Sequence, residues 1–361
     1  MKLCYNFEHG LERGQLKMRK NIDFFKIINT WKTGSNTISN KIFNDPNFES
    51  TWSSLLFHDD ITISLDKIKY TKLEILVWLA FIIHYRSDNE RPTRILLPNN
   101  NDFLHFIKFT HFDDLKRDLN FKLINEFLLP SKSKYSHDKN PYCESQRITY
   151  IDRFNANRRY RNLSKNTREY LQAVYKINPN NNKALYNFFP FLKTISEITE
   201  NIIIHGGLER NTGNGIIALF PAMSNEDCVT YCFSDIGNGF TKSMMINKKF
   251  IPKNFVIRDE ADAILAGLLY RYWHKESGIQ GLYGTLRFIA DKQGTFSIMS
   301  NNALVEFDFT DRQRCELFYE KYDTQPDKKW LRDISSIYNN SFNLPGVHVR
   351  ISMKLPKKRG I

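Results

Sequence analysis

Apolar positions along the chain change their spacing in blocks. Between about residues 59 and 125 the order is strand, helix, strand, helix. DDITISLDKI alternates with period two, and LEILVWLAFIIHYR reads as an amphipathic to buried helix. TRILLP is a second short strand after the Asn89–Pro92 turn, and NDFLHFIKFTHF is a helix opened by an Asn/Asp cap. This order predicts a small α/β unit with a crossover connection. A second block begins near residue 184, with a helix after Pro190 and then the strands GIIALFPA and VTYCFSDIGNGF. A helix carrying Leu282, Leu286 and Ile289 follows, then the strand TFSIMS and a closing strand VHVRISMKLP after Pro345-Gly346. Residues 126–183 are polar and linker-like at both ends, and an amphipathic helix is expected around Asn21–Trp31.

Composition narrows the class. With 361 residues, 41% hydrophobic and 14% aromatic, the chain can build real cores and is comfortable as two domains. No apolar run approaches the roughly eighteen residues of a membrane span. The opening MKLCYNFEHGLERGQLK has no apolar signal segment, so a cytoplasmic location is the expectation. The five cysteines are scattered, which fits reduced thiols. Cys228 and Cys232 share one face of a strand, with no second ligand pair at metal spacing, so core packing is expected there rather than zinc. The net charge of +13 suits an acidic partner and equally suits a Lys-rich soluble protein.

Three local patterns carry chemistry. In TISEITENIIIHGGLER, Glu197, Asn201 and His205 lie four residues apart on one helical stripe, beside Ile195, Ile198 and Ile202. The isoleucines should face a core and the polar stripe should lie at the edge of burial. Asp235, Gly237 and Gly239 end a strand in Asp-x-Gly-x-Gly spacing, which lets the backbone turn sharply beside a projecting carboxylate. Gly278, Gly281 and Gly284 lead into the helix of Leu282, where free amides and the helix dipole favour phosphate. A basic run with Arg153, Arg158, Arg159 and Arg161 around Tyr160 has the composition of a phosphate-backbone binder or of an interdomain surface.

In this order, the three patterns resemble the N, G1 and G2 boxes of the GHKL (Bergerat-fold) ATPase and kinase superfamily. SEITENIIIHGG is most similar to the anti-sigma-factor serine kinases. The resemblance implies an α/β sandwich of two layers with a mixed sheet over residues 184–361, binding ATP and Mg²⁺. It implies Asn201 as Mg²⁺ ligand and Glu197 as the group that orients or deprotonates the nucleophile. Asp235 would accept from the adenine amino group, and Gly237 and Gly239 would let the backbone pass the base. Gly278, Gly281 and Gly284 would cover the phosphates as part of a lid, and His205 would lie beneath them or cap the helix. The superfamily often has Thr after the last glycine of the closing strand; this chain has Val347.

Residues 56–125 resemble a STAS domain, the fold of anti-sigma-factor antagonists, with Thr71 as the hydroxyl nearest the expected loop but without the usual Asp-Ser dipeptide. The organisation expected is an extension over 1–55, a STAS-like module over 56–125, a basic linker over 126–183 and the ATP-binding domain over 184–361. The function implied is a nucleotide-controlled regulator in signalling, stress response or defence, acting as a slow ATPase or a serine/threonine kinase. Its partner would be a STAS-like or effector protein, or a second copy of the chain. The alternative is a nucleic-acid-associated ATPase clamp that uses the basic linker. No membrane association is expected.

Overall fold

The computed structural model describes residues 20–24, 47–68, 73–134, 148–152, 165, 195, 198–199, 201, 214–220, 228–246, 251–273, 281–322, 324 and 326–354. Among the described residues the protein is an α/β molecule with two sheets. The N-terminal sheet is parallel, in the order β1 (Lys20–Asp23), β2 (Ile61–Ser64), β3 (Thr93–Leu96), β4 (Lys122–Ile124). Helix α1 (Phe48–Phe57) precedes β2, α2 (Leu73–Asp88) joins β2 to β3, and α3 (Asn101–Phe109) follows β3. The expected crossover is present, and Asn100 caps α3 by accepting from the Phe103 amide at 3.0 Å.

The second sheet is antiparallel, in the order β5 (Ile148–Asp152), β6 (Asn214–Phe220), β7 (Cys228–Asp235), β9 (Ser335–Lys354), β8 (Thr295–Asp308). Between β7 and β8 run α4 (Gly239–Ile246), α5 (Glu260–Trp273) and α6 (Gly281–Asp291). Helices α7 (Arg312–Tyr322) and α8 (Lys328–Asp333) connect β8 to β9. Strands β7 and β8 point the same way, as a helical crossover requires. Strand β9 runs opposite to both and slots between them. Among the described residues, every ladder of this sheet is therefore antiparallel, and the expected mixed sheet is corrected.

Both faces of that sheet are covered. Tyr231, Phe233, Phe296, Ile298, Val349 and Ile351 pack on one side against Ile264, Leu265 and Leu268 of α5 and Leu286 and Ile289 of α6. On the other side, Ile216, Cys232, Met299 and Leu344 join one core with α2 and with Ile61, Ile63 and Ile95 of the parallel sheet. Residues 75–84 of α2 are buried without interruption. A helix apolar all round must be enclosed on all sides, and α2 achieves this by packing against both sheets. The antiparallel sheet thus has helices on two faces, not on one. Cys232 is a free thiol in this core, as expected of a packed strand residue.

Three further elements depart from the sequence pattern. The helix expected at Asn21–Trp31 gives way at its start to β1, which buries Ile22 and gains a ladder with β2. Helix α1 runs across residue 55, where the extension was expected to end. Strand β5 falls inside the polar linker; its Tyr150 ring stands 5.4 Å from His84 of α2, and Ile148 N–H donates to Thr110 O at 2.9 Å. Among the described residues no helix is long and apolar enough to cross a membrane.

Candidate functional site

The alternation of β7 turns Tyr231 and Phe233 toward α5 and α6, and the strand ends on Asp235. Asp235 is 6% exposed, and its Oδ1 accepts two backbone amides, Gly237 N–H at 2.8 Å and Val347 N–H at 3.1 Å. The Gly237 bond closes an Asx turn, which redirects the chain into α4. The Val347 bond ties the carboxyl to the neighbouring strand β9. Among the described residues no donor reaches Oδ2, so in the ionised form that oxygen is open to accept from a ligand. Burial pushes the Asp235 carboxyl up to about 7, against which the two amides pull only partly.

Two glycines make this geometry fit. Gly239 has φ +76°, and a Cβ there would lie 2.2 Å from Asn301 Nδ2 and 2.8 Å from Ser300 Oγ. Gly346 has φ +85°, and a Cβ there would lie 1.8 Å from the Asp235 carbonyl oxygen. The asparagine can swing away; the backbone of Asp235 cannot. Gly346→Ala is expected to cost on the order of 3 kcal/mol, combining left-handed strain with the forced separation of β7 and β9. Urea denaturation measures it, and a loss below about 1 kcal/mol would mean that the strand ends are compliant.

Of the three isoleucines beside the first motif's stripe, Ile195 and Ile198 are in place and Ile202 lies outside the described residues. Ile195 and Ile198 are buried in the core that holds Tyr231 and Phe233, so their helix lies on the same face of the sheet as α5 and α6. Thr199 is buried as well and donates to Ile195 O at 2.7 Å. Asn201 is helical and exposed, so its carboxamide faces outward from that core. Glu197, His205 and Gly278 lie outside the described residues. So do Thr71 and the basic cluster Arg153, Arg158, Arg159 and Arg161. Gly281 is the first residue of α6 and Gly284 lies within its first turns, while Leu282, Leu286 and Ile289 of that helix are buried as expected.

Beyond the Asx turn, Glu260 at the start of α5 reaches the start of α4. Its Oε1 accepts from Phe240 N–H at 2.8 Å and Thr241 N–H at 3.3 Å, and Ser300 Oγ also donates to it. A buried carboxylate so placed satisfies orphan helix amides and favours the dipole. Asp262, two residues on, is bound by Lys328 at 3.0 Å and Arg332 at 2.6 Å, which fixes α5 to α8. A cleft of about 480 Å³ opens beside the turn, walled by Asn238, Thr241, Arg258, Asn301, Asn302 and Asn343. Asn301 takes φ +47° where the β8–β9 register shifts. Asp235 does not line this cleft, so the rim and the carboxyl are separate features.

Sequence reasoning missed Gly346, the Val347 amide and Glu260. The Pro345-Gly346 step before the last strand was the available signal for the first two. Glu260 had none, because its partners are backbone amides twenty residues upstream. Among the described residues no group of three or more His, Cys, Asp or Glu could hold a metal ion. No family model matches the chain, and no match was found among curated proteins or solved structures.

Proposed function

We infer that the chain is a Mg-ATP-binding regulatory protein of the GHKL type, with Asp235 reading the adenine base. The observation that carries this reading is the Asp235 carboxyl itself: buried at a strand end, held on one oxygen by two amides, and free on the other. An exocyclic amino group is a natural donor to that free oxygen, and guanine, which presents an acceptor at the equivalent position, is not. The packing of Ile195 and Ile198 in one core with Tyr231 and Phe233 of β7 and Leu286 and Ile289 of α6 adds support, since described parts of all three motif-bearing elements then share one face of the sheet. A carboxamide oxygen facing solvent suits Mg²⁺, which keeps several waters and takes few protein ligands. In this reading, the parallel-sheet unit is the STAS-like module, and through α2 it forms the back wall of the nucleotide domain. Nucleotide state would then bear on a protein contact, as in an anti-sigma-type kinase or ATPase switch.

Calorimetry with a non-hydrolysable ATP analogue tests the reading. Binding is expected with Mg²⁺, weaker by ten-fold or more for the GTP analogue and for Asn201→Ala, corresponding to about 1.4 kcal/mol or more. No heat with either nucleotide would end the proposal. Equal affinity for ATP and GTP would remove Asp235 as the base reader.

A further inference from the structure

Strand β9 bears on Asp235 through its backbone, and a side chain one residue further on anchors that same backbone to the N-terminal unit. Val347 gives its N–H to the carboxyl. His348, the next residue, projects to the opposite face of the sheet, as alternation demands. There its ring lies 4.5 Å from Trp78 and 4.3 Å from Phe81 of α2, and Trp78 is in turn 5.5 Å from Trp52 of α1. The ring is 7% exposed.

Its two nitrogens have fixed roles. Nε2 lies 3.2 Å from the Pro345 carbonyl, which can only accept, so Nε2 carries the proton. Nδ1 is then the acceptor, and Ser234 Oγ–H donates to it at 2.6 Å. Ser234 faces His348 in the ladder and immediately precedes Asp235. One imidazole therefore ties the last residue before the carboxyl to the carbonyl that precedes Gly346. Burial holds His348 down to about 3, so the ring stays neutral and keeps this tautomer at any physiological pH.

The geometry points to His348 as a positioning residue for the Asp235 carboxyl, a strut by which α2 of the N-terminal unit sets where the Val347 amide meets Oδ1. The backbone of Pro345–His348 has little room to drift, since Gly346 already lies against the Asp235 carbonyl. If α2 shifts, the ring moves with Trp78 and Phe81, and the Val347 N–H moves with the ring. The functional consequence, control of nucleotide affinity by the N-terminal unit, rests on the reading of Asp235 as the base reader. The strut itself does not.

Two variants of the full chain separate these claims. His348→Phe keeps the ring packing and loses both hydrogen bonds, while Ser234→Ala loses one. The first readout is the titration of the Asp235 carboxyl by ¹³C NMR without any ligand. The titration midpoint is expected to move by about one unit in His348→Phe and less in Ser234→Ala, because one of the two amides that favour the charged form is displaced. Phe296→Leu, a core change on the other face of the sheet, should leave it in place. The second readout is affinity for the ATP analogue, expected to fall about ten-fold in His348→Phe. An Asp235 titration identical to wild type in both strut variants overturns the proposal, even if nucleotide binds as expected. A shifted titration in a protein that binds no nucleotide upholds the strut and removes only the nucleotide reading.

Discussion

Asp235→Asn is expected to make the protein more stable at pH 8 and at the same time a poorer binder of adenine nucleotides. Burial pushes the carboxyl from its ordinary value of 3.8 up to about 7. The folded state therefore holds this proton between about pH 4 and 7 while the unfolded state has released it. By linkage, this group is most favourable to folding below pH 4; its contribution is lost as pH rises and stays lost above pH 7. Three pKa units amount to about 4 kcal/mol, so removing the charge should return about 2–4 kcal/mol at pH 8 and almost nothing at pH 4. Asn can still accept the Gly237 and Val347 amides through its oxygen, so the turn should survive. On the proposed reading, its NH₂ would take the place of Oδ2 and meet the adenine amino group donor to donor. Affinity for the ATP analogue should fall at least ten-fold. Denaturant titrations at pH 4, 6 and 8 give the first half, and calorimetry the second. A variant whose stability tracks wild type at all three pH values would show that the carboxyl is not held neutral by burial.

The other large effect is predicted far from that carboxyl. Arg86, in the last turn of α2, is fully buried and makes six hydrogen bonds. Nη1 reaches His58 O at 2.7 Å and the Leu55 and Leu56 carbonyls at 3.2 and 3.4 Å. Nη2 takes Pro92 O at 2.8 Å and Asp59 O at 3.3 Å, and Nε donates to Thr93 Oγ1 at 2.7 Å. The carbonyls at the end of α1 have no intrahelical partner, and this guanidinium supplies one while pinning the α1–β2 and α2–β3 connections together. Burial lowers its pKa to about 10, so it remains charged at neutral pH. Arg86→Met fills much of the space but leaves several buried carbonyls unpaired, at an expected cost of about 3–5 kcal/mol. Arg86→Lys should recover only part of this, since a point-like ammonium cannot span the same acceptors. Urea denaturation of the three proteins measures the series. A Met variant within about 1 kcal/mol of wild type would mean that water replaces the guanidinium, and the pin would be refuted.

Local periodicity made a good part of the molecule legible. The alternation of ITIS and TRIL placed β2 and β3, and the apolar content of LEILVWLAFIIHYR announced a buried helix. The spacing of Ile195 and Ile198 named the buried side of a helix whose Asn201 is exposed. VTYCFSD followed by glycines put a carboxylate at a strand end, and Asp235 is there. Each of these follows from a neighbourhood of a few residues, within which side-chain direction repeats with the backbone period.

What the sequence could not hold was the identity of the covering partner. The pattern of α2 says that all its sides are buried, but two separate sheets do the burying, and they are joined across long stretches of chain. Strand β9 reads as a closing strand, yet only the assembled sheet shows it inserted between β7 and β8 and so changing the sheet from mixed to antiparallel. Strand β1 reads as helix until β2 offers it a ladder. Arg86 looks like an ordinary basic residue at a helix end, and His348 like an ordinary strand residue. Their partners lie up to 31 and 270 positions away, respectively. Contacts at such separations are chosen by sheet register and helix packing, which depend on the whole chain at once. Residue types and local spacing thus determined which faces are buried and where a carboxylate could stand, and tertiary structure alone decided what holds that carboxylate in place.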